Sequence, residues 1–240
     1  MLISVEQLPQ RLEKKGLESC YLIHGDEPLQ FIESVNALIK CSKENGISER
    51  LVFEIDRASD WDLLVTELSS LSLFSQRRLI QIRLGTKRLD KSAVASLKAV
   101  LSTRSEADVL VFTSGKRDSR TKSSGWWKTL EKQGVCVGVQ EHGQKNLPRW
   151  LIKRASLVHK TLSAEAASMI ANRVEGNMVA AAQEIEKLSL ILEGTLIDAE
   201  HVFEAVSDQT RYTIYQCVDA FFEGKVDRGI RIIRGLKDEG

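Results

Sequence analysis

Gly25, Asp26, Glu27 and Pro28 follow the apolar run Cys20-Tyr-Leu-Ile-His24 and precede a helix-patterned stretch, the place where an α/β nucleotide-binding protein keeps its phosphate loop. Such a loop needs glycines whose backbone N–H groups turn inward around phosphates, a Lys for the β- and γ-phosphates and a Ser or Thr for magnesium. Here Asp26 and Glu27 repel phosphate, Pro28 supplies no N–H, and no Lys-Ser/Thr pair follows. The later run Val109-Leu-Val-Phe112 ends in Thr113-Ser114, not in the acidic pair that would hold magnesium and orient water. Both absences argue against ATP hydrolysis. Asp26 and Glu27 read better as an acidic helix start, favoured by the helix dipole, than as a metal or acid–base pair. His24, His142, His159 and His201 show no metal spacing and no neighbouring nucleophile, and Cys20, Cys41, Cys136 and Cys217 form no Cys-x-x-Cys pair. The cysteines read as small buried hydrophobes. No catalytic residue, metal or cofactor is expected.

Two further stretches could bind rather than react. In Ser69-Ser-Leu-Ser-Leu-Phe-Ser-Gln-Arg-Arg78, Leu71 and Leu73 alternate with serines until Phe74 breaks the pattern, followed at once by Ser75, Gln76 and two arginines. An apolar wedge rimmed by polar groups has the form of a hot spot that enters a partner's pocket; a helix end feeding the core is the plainer reading of the pattern alone. The loop Gly115 to Gly125 carries Lys116, Arg117, Arg120 and Lys122 beside Trp126 and Trp127. These cations could touch phosphates and a tryptophan could stack on a base, although a solvated loop is the plainer reading of the charges. Arg149, Lys153 and Arg154 form a similar basic helix face, open to a partner, to DNA or to water.

The elements that must position these residues follow from the apolar periodicity. Strands are expected at residues 20–24, 50–55, 78–84, 108–113 and 135–139, alternating with helices at 29–44, from the Ser59-Asp60 cap, from Asp90 to about Ser102, and at 126–133. A short helix over 6–15, ended by Gly16, precedes them. This alternation implies a parallel α/β sheet flanked by helices. After Val139 no further strand is expected. Helices follow from Leu147-Pro148, Ser163, Asn177 and Asp198, and apolar stripes continue past Thr210 to Leu236. With 34 basic against 33 acidic residues the formal charge is +1, which excludes attraction to nucleic acid or membrane through bulk charge. No run approaches the ~20 apolar residues of a membrane span, and no secretory signal is evident, so the cytoplasm is the expected location.

Taken together, Tyr21-Leu-Ile-His-Gly-Asp-Glu-Pro-Leu29 with Glu33-Ser34, Ser70-Leu-Ser-Leu-Phe-Ser75, Leu147-Pro-Arg-Trp150, Val174-Glu-Gly-Asn177 and Ala182-Gln-Glu-Ile-Glu-Lys-Leu188 resemble the bacterial DNA polymerase III delta subunit family in order and spacing. The likeness continues through Val218-Asp-Ala-Phe-Phe-Glu-Gly-Lys225. It implies an AAA+-like α/β domain over residues 1–142 that lacks a working phosphate loop, a small all-helical domain over 143–209, and over 210–240 the start of a helical collar domain, cut short at Gly240. It also implies a clamp-loader subunit that binds and opens the ring-shaped sliding clamp (the beta subunit) without hydrolysing ATP, assembled with gamma/tau and delta prime subunits and meeting primed DNA through the complex. Such a chain takes part in DNA replication as a component of a DNA-directed DNA polymerase, a nucleotidyltransferase, with no catalytic site of its own. The clamp-binding element of the family maps onto Leu71, Ser72, Leu73 and Phe74, with Leu73 and Phe74 as the apolar plug. A degenerate ATPase and a direct DNA-binding module acting through Lys116 to Lys122 are the alternatives.

Overall fold

The computed structural model describes residues 1–70, 77–86, 89–116, 118–139 and 144–209, together with 220–222, 226, 229–230 and 233. Contacts divide the chain into one unit over Met1–Glu141 and another over His142–Gly240.

The first unit is built on six strands: β1 (Leu2–Ser4), β2 (Cys20–His24), β3 (Glu49–Glu54), β4 (Arg78–Arg83), β5 (Val109–Ser114) and β6 (Val135–Gly138). They form one sheet in the order β1-β6-β2-β5-β4-β3, every pair parallel. Parallel neighbours require crossovers, which helices supply: α1 (Leu8–Lys15), α2 (Pro28–Glu44), α3 (Ala58–Ser69), α4 (Lys91–Thr103), the single turn α5 (Ser119–Lys122) and α6 (Gly125–Gln133). The sheet is buried on both faces. Trp61, Leu64, Leu97, Val100, Trp127 and Leu130 pack from α3, α4 and α6 on Leu22, Ile80, Ile82, Leu110 and Phe112. On the opposite face Leu8, Leu12, Val35 and Leu38 of α1 and α2 cover Tyr21, Ile23, Val109, Val111 and Val137. The continuous apolar runs of β2 and β5, unlike the alternating exposure of β3, follow from this two-sided cover.

The expected parallel α/β sheet is therefore present, with corrections in detail. β1 was not expected from the sequence, because three residues at a sheet edge are too short to show a period of two. Asp60 is not the N-cap of α3; it stands one turn inside, where its carboxylate accepts the backbone N–H groups of Asp56 at 2.8 Å and Arg57 at 2.7 Å.

The second unit holds α7 (Leu147–Leu157), α8 (Ala164–Val174), α9 (Met178–Ile191) and α10 (Ala199–Gln209). Ser163 and Asn177 cap α8 and α9 by accepting from Ala166 and Ala180, each at 3.1 Å. The expectation that no strand follows Val139 is corrected: β7 (Thr161–Leu162) and β8 (Leu196–Ile197) form a two-residue parallel pair. Lys160 holds it by donating from its ammonium to the carbonyls of Leu192 at 2.5 Å and Gly194 at 2.6 Å. Most of the expected collar segment, 210–240, lies outside the described residues.

Candidate functional site

The turn after β2 lies at the carboxyl end of the central strands, where the neighbours of β2 change from β6 to β5 and where open parallel sheets bind ligands. Its shape is set by Gly25, at φ 143°, a backbone conformation that side chains resist. A Cβ there would stand 2.2 Å from the Val139 carbonyl oxygen. The Gly25 N–H donates to the Ser114 carbonyl at 3.2 Å, and the Val139 N–H donates to the His24 carbonyl at 2.8 Å, which ties the turn to the ends of β5 and β6.

A phosphate loop works by aiming free N–H groups from such a turn and the first helical residues at an anion. Here the chain supplies its own anion. The Glu27 side chain, 4% exposed, accepts from the N–H groups of Leu29 at 3.1 Å and Gln30 at 2.6 Å. Pro28 occupies the first helical position and has no N–H to offer. Phe31 donates back to the Glu27 carbonyl at 3.1 Å. The acidic helix start expected from sequence is thus a carboxylate seated where a phosphate would have to sit. Beside it Asp26 pairs with Lys116 at 3.0 Å, an exposed contact of small energetic weight.

His24 lies under this turn. It is 6% exposed, its Nε2 has no hydrogen-bond partner among the described residues, and its ring meets Trp127 edge-on at a centroid distance of 4.7 Å. Burial, with a smaller contribution from the charge of Lys122, lowers its pKa from 6.5 to about 4. The imidazole is therefore neutral at physiological pH, a property with no sequence signal beyond an apolar run ending in His. Cys20 and Cys136 are buried thiols pushed up to about 12 and about 11 by desolvation, inert as nucleophiles, in line with their reading as small hydrophobes. Cys41 is buried as well, while Cys217 lies outside the described residues. Among the described residues no group of three or more His, Cys, Asp or Glu could hold a metal.

Leu71, Ser72, Leu73 and Phe74 lie outside the described residues; what frames them does not. α3 ends at Ser69, after which Ser70 is already extended and its N–H donates to the Glu67 carbonyl at 3.1 Å; the hydroxyls of Ser69 and Ser70 donate to the carbonyls of Val65 at 2.8 Å and Thr66 at 3.0 Å. At the far end Arg78, 4% exposed, begins β4. Its guanidinium forks onto Asp108, with Nε to Oδ1 at 3.2 Å and Nη2 to Oδ2 at 2.9 Å, while Nη1 donates to the carbonyl of Glu67 at 3.2 Å and reaches that of Ser70 at 3.5 Å. One buried arginine thus fastens both roots of the stretch between α3 and β4. Neither Arg78 nor Asp108 stands out in the sequence. The signal available was a charge of each sign at the start of β4 and just before β5.

Among the loop cations, Lys116 is turned to Asp26 and Lys122 is exposed. Arg117 and the side chain of Arg120 lie outside the described residues. Trp126 and Trp127 are buried at 3% and 1% exposure, so neither is available to stack on a base, which corrects that expectation. No helix among the described residues is long and apolar enough to cross a membrane.

Comparison with known proteins adds three findings. The family described as DNA polymerase III, delta subunit, matches residues 21–140. The chain is 30% identical over 236 residues to the DNA polymerase III subunit delta of Escherichia coli K12, covering 98% of this chain and 68% of that one, and 26% identical over 240 residues to its Haemophilus influenzae counterpart, with the same coverage. Among solved structures, the DNA clamp loader delta protein of Bacillus subtilis superposes with a TM-score of 0.67 at 20% identity, over 98% of this chain and 72% of that one, and so shares its fold.

Proposed function

The chain belongs to the DNA polymerase III delta subunit family, and from that premise we propose that it binds the ring-shaped sliding clamp through Leu71, Ser72, Leu73 and Phe74 and favours its opened form, without hydrolysing ATP itself. As a clamp-loader delta subunit with an AAA+-like fold it is a component of the replicative polymerase assembly. The observation that carries the clamp-binding reading is the fastening of both roots of the plug-bearing stretch by Arg78. Anchored ends reduce the entropy lost when a short apolar segment enters a pocket, so more of the burial energy of Leu73 and Phe74 is left for affinity. Binding alone opens nothing; the ring shifts toward opening only by the difference in affinity of this surface for the two ring states.

The carboxylate of Glu27 on the start of α2 supports the second half of the reading. ATP would have to displace a buried anion from the N–H groups it needs, with Asp26 repelling it from the rim. Timing by ATP then falls to other subunits, with this chain responding through its surfaces that meet them. Lys116, Arg117, Arg120 and Lys122 are assigned to the surface offered to those partners.

Capture of purified sliding clamp by this chain tests the assignment. Leu73→Ala with Phe74→Ala should weaken capture by on the order of 1,000-fold, since two apolar hot spots of about 2 kcal/mol each sum to about 4 kcal/mol. Affinity within about twofold of wild type, less than about 0.5 kcal/mol, would remove the plug from these residues. Titration with ATP and magnesium should give no saturable binding and no phosphate release; turnover abolished by substitution near Gly25 would establish a working nucleotide site instead.

A further inference from the structure

Between Glu141 and Glu165 the sequence contains no acidic residue, yet it carries Lys145, Arg149, Lys153, Arg154 and Lys160 in a chain whose net charge is only +1. The structure sorts these cations. Lys160 holds the carbonyls of Leu192 and Gly194, and Arg154 pairs with Glu186 at 3.3 Å and lies 5.8 Å over the Trp150 ring. Both are engaged within their own unit, as are Arg173 and Lys187 with Glu184. Lys145, Arg149 and Lys153 are exposed and have no ion pair or side-chain hydrogen bond among the described residues. Successive steps of four residues put them on one side of α7 and its lead-in, opposite the buried Leu147, Leu151 and Ala155. At a rise of ~1.5 Å per residue they stand roughly 6 Å apart in a column of about 12 Å.

This column does nothing for the helix that bears it. Cations in the first turn oppose the helix dipole, and Lys145 and Arg149 flank the start of α7, where an acid would stabilise it. With no carboxylate in the segment, the three charges also repel one another. An external anion of repeating charge relieves both costs. A single carboxylate or phosphate is too small to meet all three side chains, whereas one strand of duplex DNA presents a phosphate every ~3.4 Å of axis, so a column of about 12 Å faces about three of them. Arg149 can fork onto a phosphate and the two lysines act as point charges.

We propose that Lys145, Arg149 and Lys153 form a docking face for the phosphodiester backbone of duplex DNA on the exposed side of α7. The choice of DNA rests on the family assignment; the column itself does not. This face carries no sequence information, because it reads phosphates alone.

The test is the salt dependence of duplex binding by the full chain, read by fluorescence anisotropy between about 50 and 200 mM salt. Lys145→Gln, Arg149→Gln and Lys153→Gln together should lower the slope of log K against log salt by about 2.7, since each phosphate that is no longer neutralised removes ~0.9. The exchanged triple Lys145→Arg, Arg149→Lys and Lys153→Arg should keep the slope. A control with the same charge change, Lys98→Gln, Lys128→Gln and Lys132→Gln, should leave it near wild type. An equal fall in the control would show bulk charge at work and overturn the proposal, as would a first triple with the wild-type slope or a wild-type chain without salt-dependent binding. Clamp capture by the first triple stays at the wild-type level, so failure of the DNA face is distinguishable from failure of the clamp assignment.

Discussion

At the scale of single residues, the turn after β2 is filled by the chain's own groups, with the Glu27 carboxylate on the N–H groups of Leu29 and Gln30 and the His24 ring against Trp127. The sequence shows that Asp26, Glu27 and Pro28 are the wrong residues for phosphate, which follows from charge and from the missing N–H. It does not show that Glu27 folds back onto Leu29 and Gln30, because a side chain's partner depends on φ and ψ at Gly25, set by the close approach of Val139. His24 is hidden for the same reason: its environment comes from Trp127, far along the chain. Its depressed pKa makes a pH prediction. In the unfolded chain His24 takes up a proton near pH 6.5, but in the folded chain only near pH 4, so between these values the unfolded state binds more protons and stability falls as pH falls. From about pH 7 to about pH 5 this group alone should cost about 2 kcal/mol. His24→Phe keeps a ring against Trp127 and removes the titration, so its urea-unfolding free energy should change less than that of wild type over this range, by about 2 kcal/mol. Parallel pH profiles for the two proteins would place the acid sensitivity elsewhere.

At the scale of elements, what the sequence marks with a local device is recovered: Asp90, Ser163 and Asn177 each cap the helix they precede. Elements without room for periodicity, β1, β7 and β8, are not, since pairing with a distant strand is what makes them strands. The junction of α3 with β4 belongs to this second kind, because its organiser, Arg78, acts through Asp108 thirty residues away. Arg78→Met should destabilise the chain by about 3–5 kcal/mol by leaving a buried carboxylate unpaired. Arg78→Met with Asp108→Leu removes that charge and should recover most of the stability. The recovered double variant isolates the positioning role. It is stable, but the Glu67 and Ser70 carbonyls have lost their donor, so it should capture the sliding clamp about tenfold more weakly, a cost of about 1.4 kcal/mol. Wild-type capture by this variant would reduce Arg78 to a structural residue.

At the scale of the whole molecule, charge is close to balance in each unit, 21 basic against 19 acidic residues over 1–141 and 13 against 14 over 142–240, so the cations on the exposed side of α7 and the acidic turn after β2 are local features. The units also differ in how they are held. Both core layers of the first, from Ile3 to Val139, are supplied wholly by residues of that unit and contain most of the large buried side chains, including Trp61, Trp126 and Trp127. The second mixes small residues, Ala155, Ala166, Ala167, Ala171, Ala181 and Ala182, among Leu147, Leu151, Ile170, Met178, Ile185 and Leu188, and among the described residues buries no tryptophan, so its contacts bury less apolar area on average. A fragment of residues 1–141 should therefore fold alone and unfold cooperatively, followed by the fluorescence of its three tryptophans. It also contains Leu71 to Phe74 and their Arg78 anchor, and so should capture the clamp within about threefold of the full chain, under about 1 kcal/mol. A fragment of residues 142–240 should melt at lower temperature and give no capture. If the first fragment shows no cooperative transition, its two core layers are insufficient for folding; if it folds and fails to capture the clamp, the grip requires residues beyond 141 and the plug is only part of it.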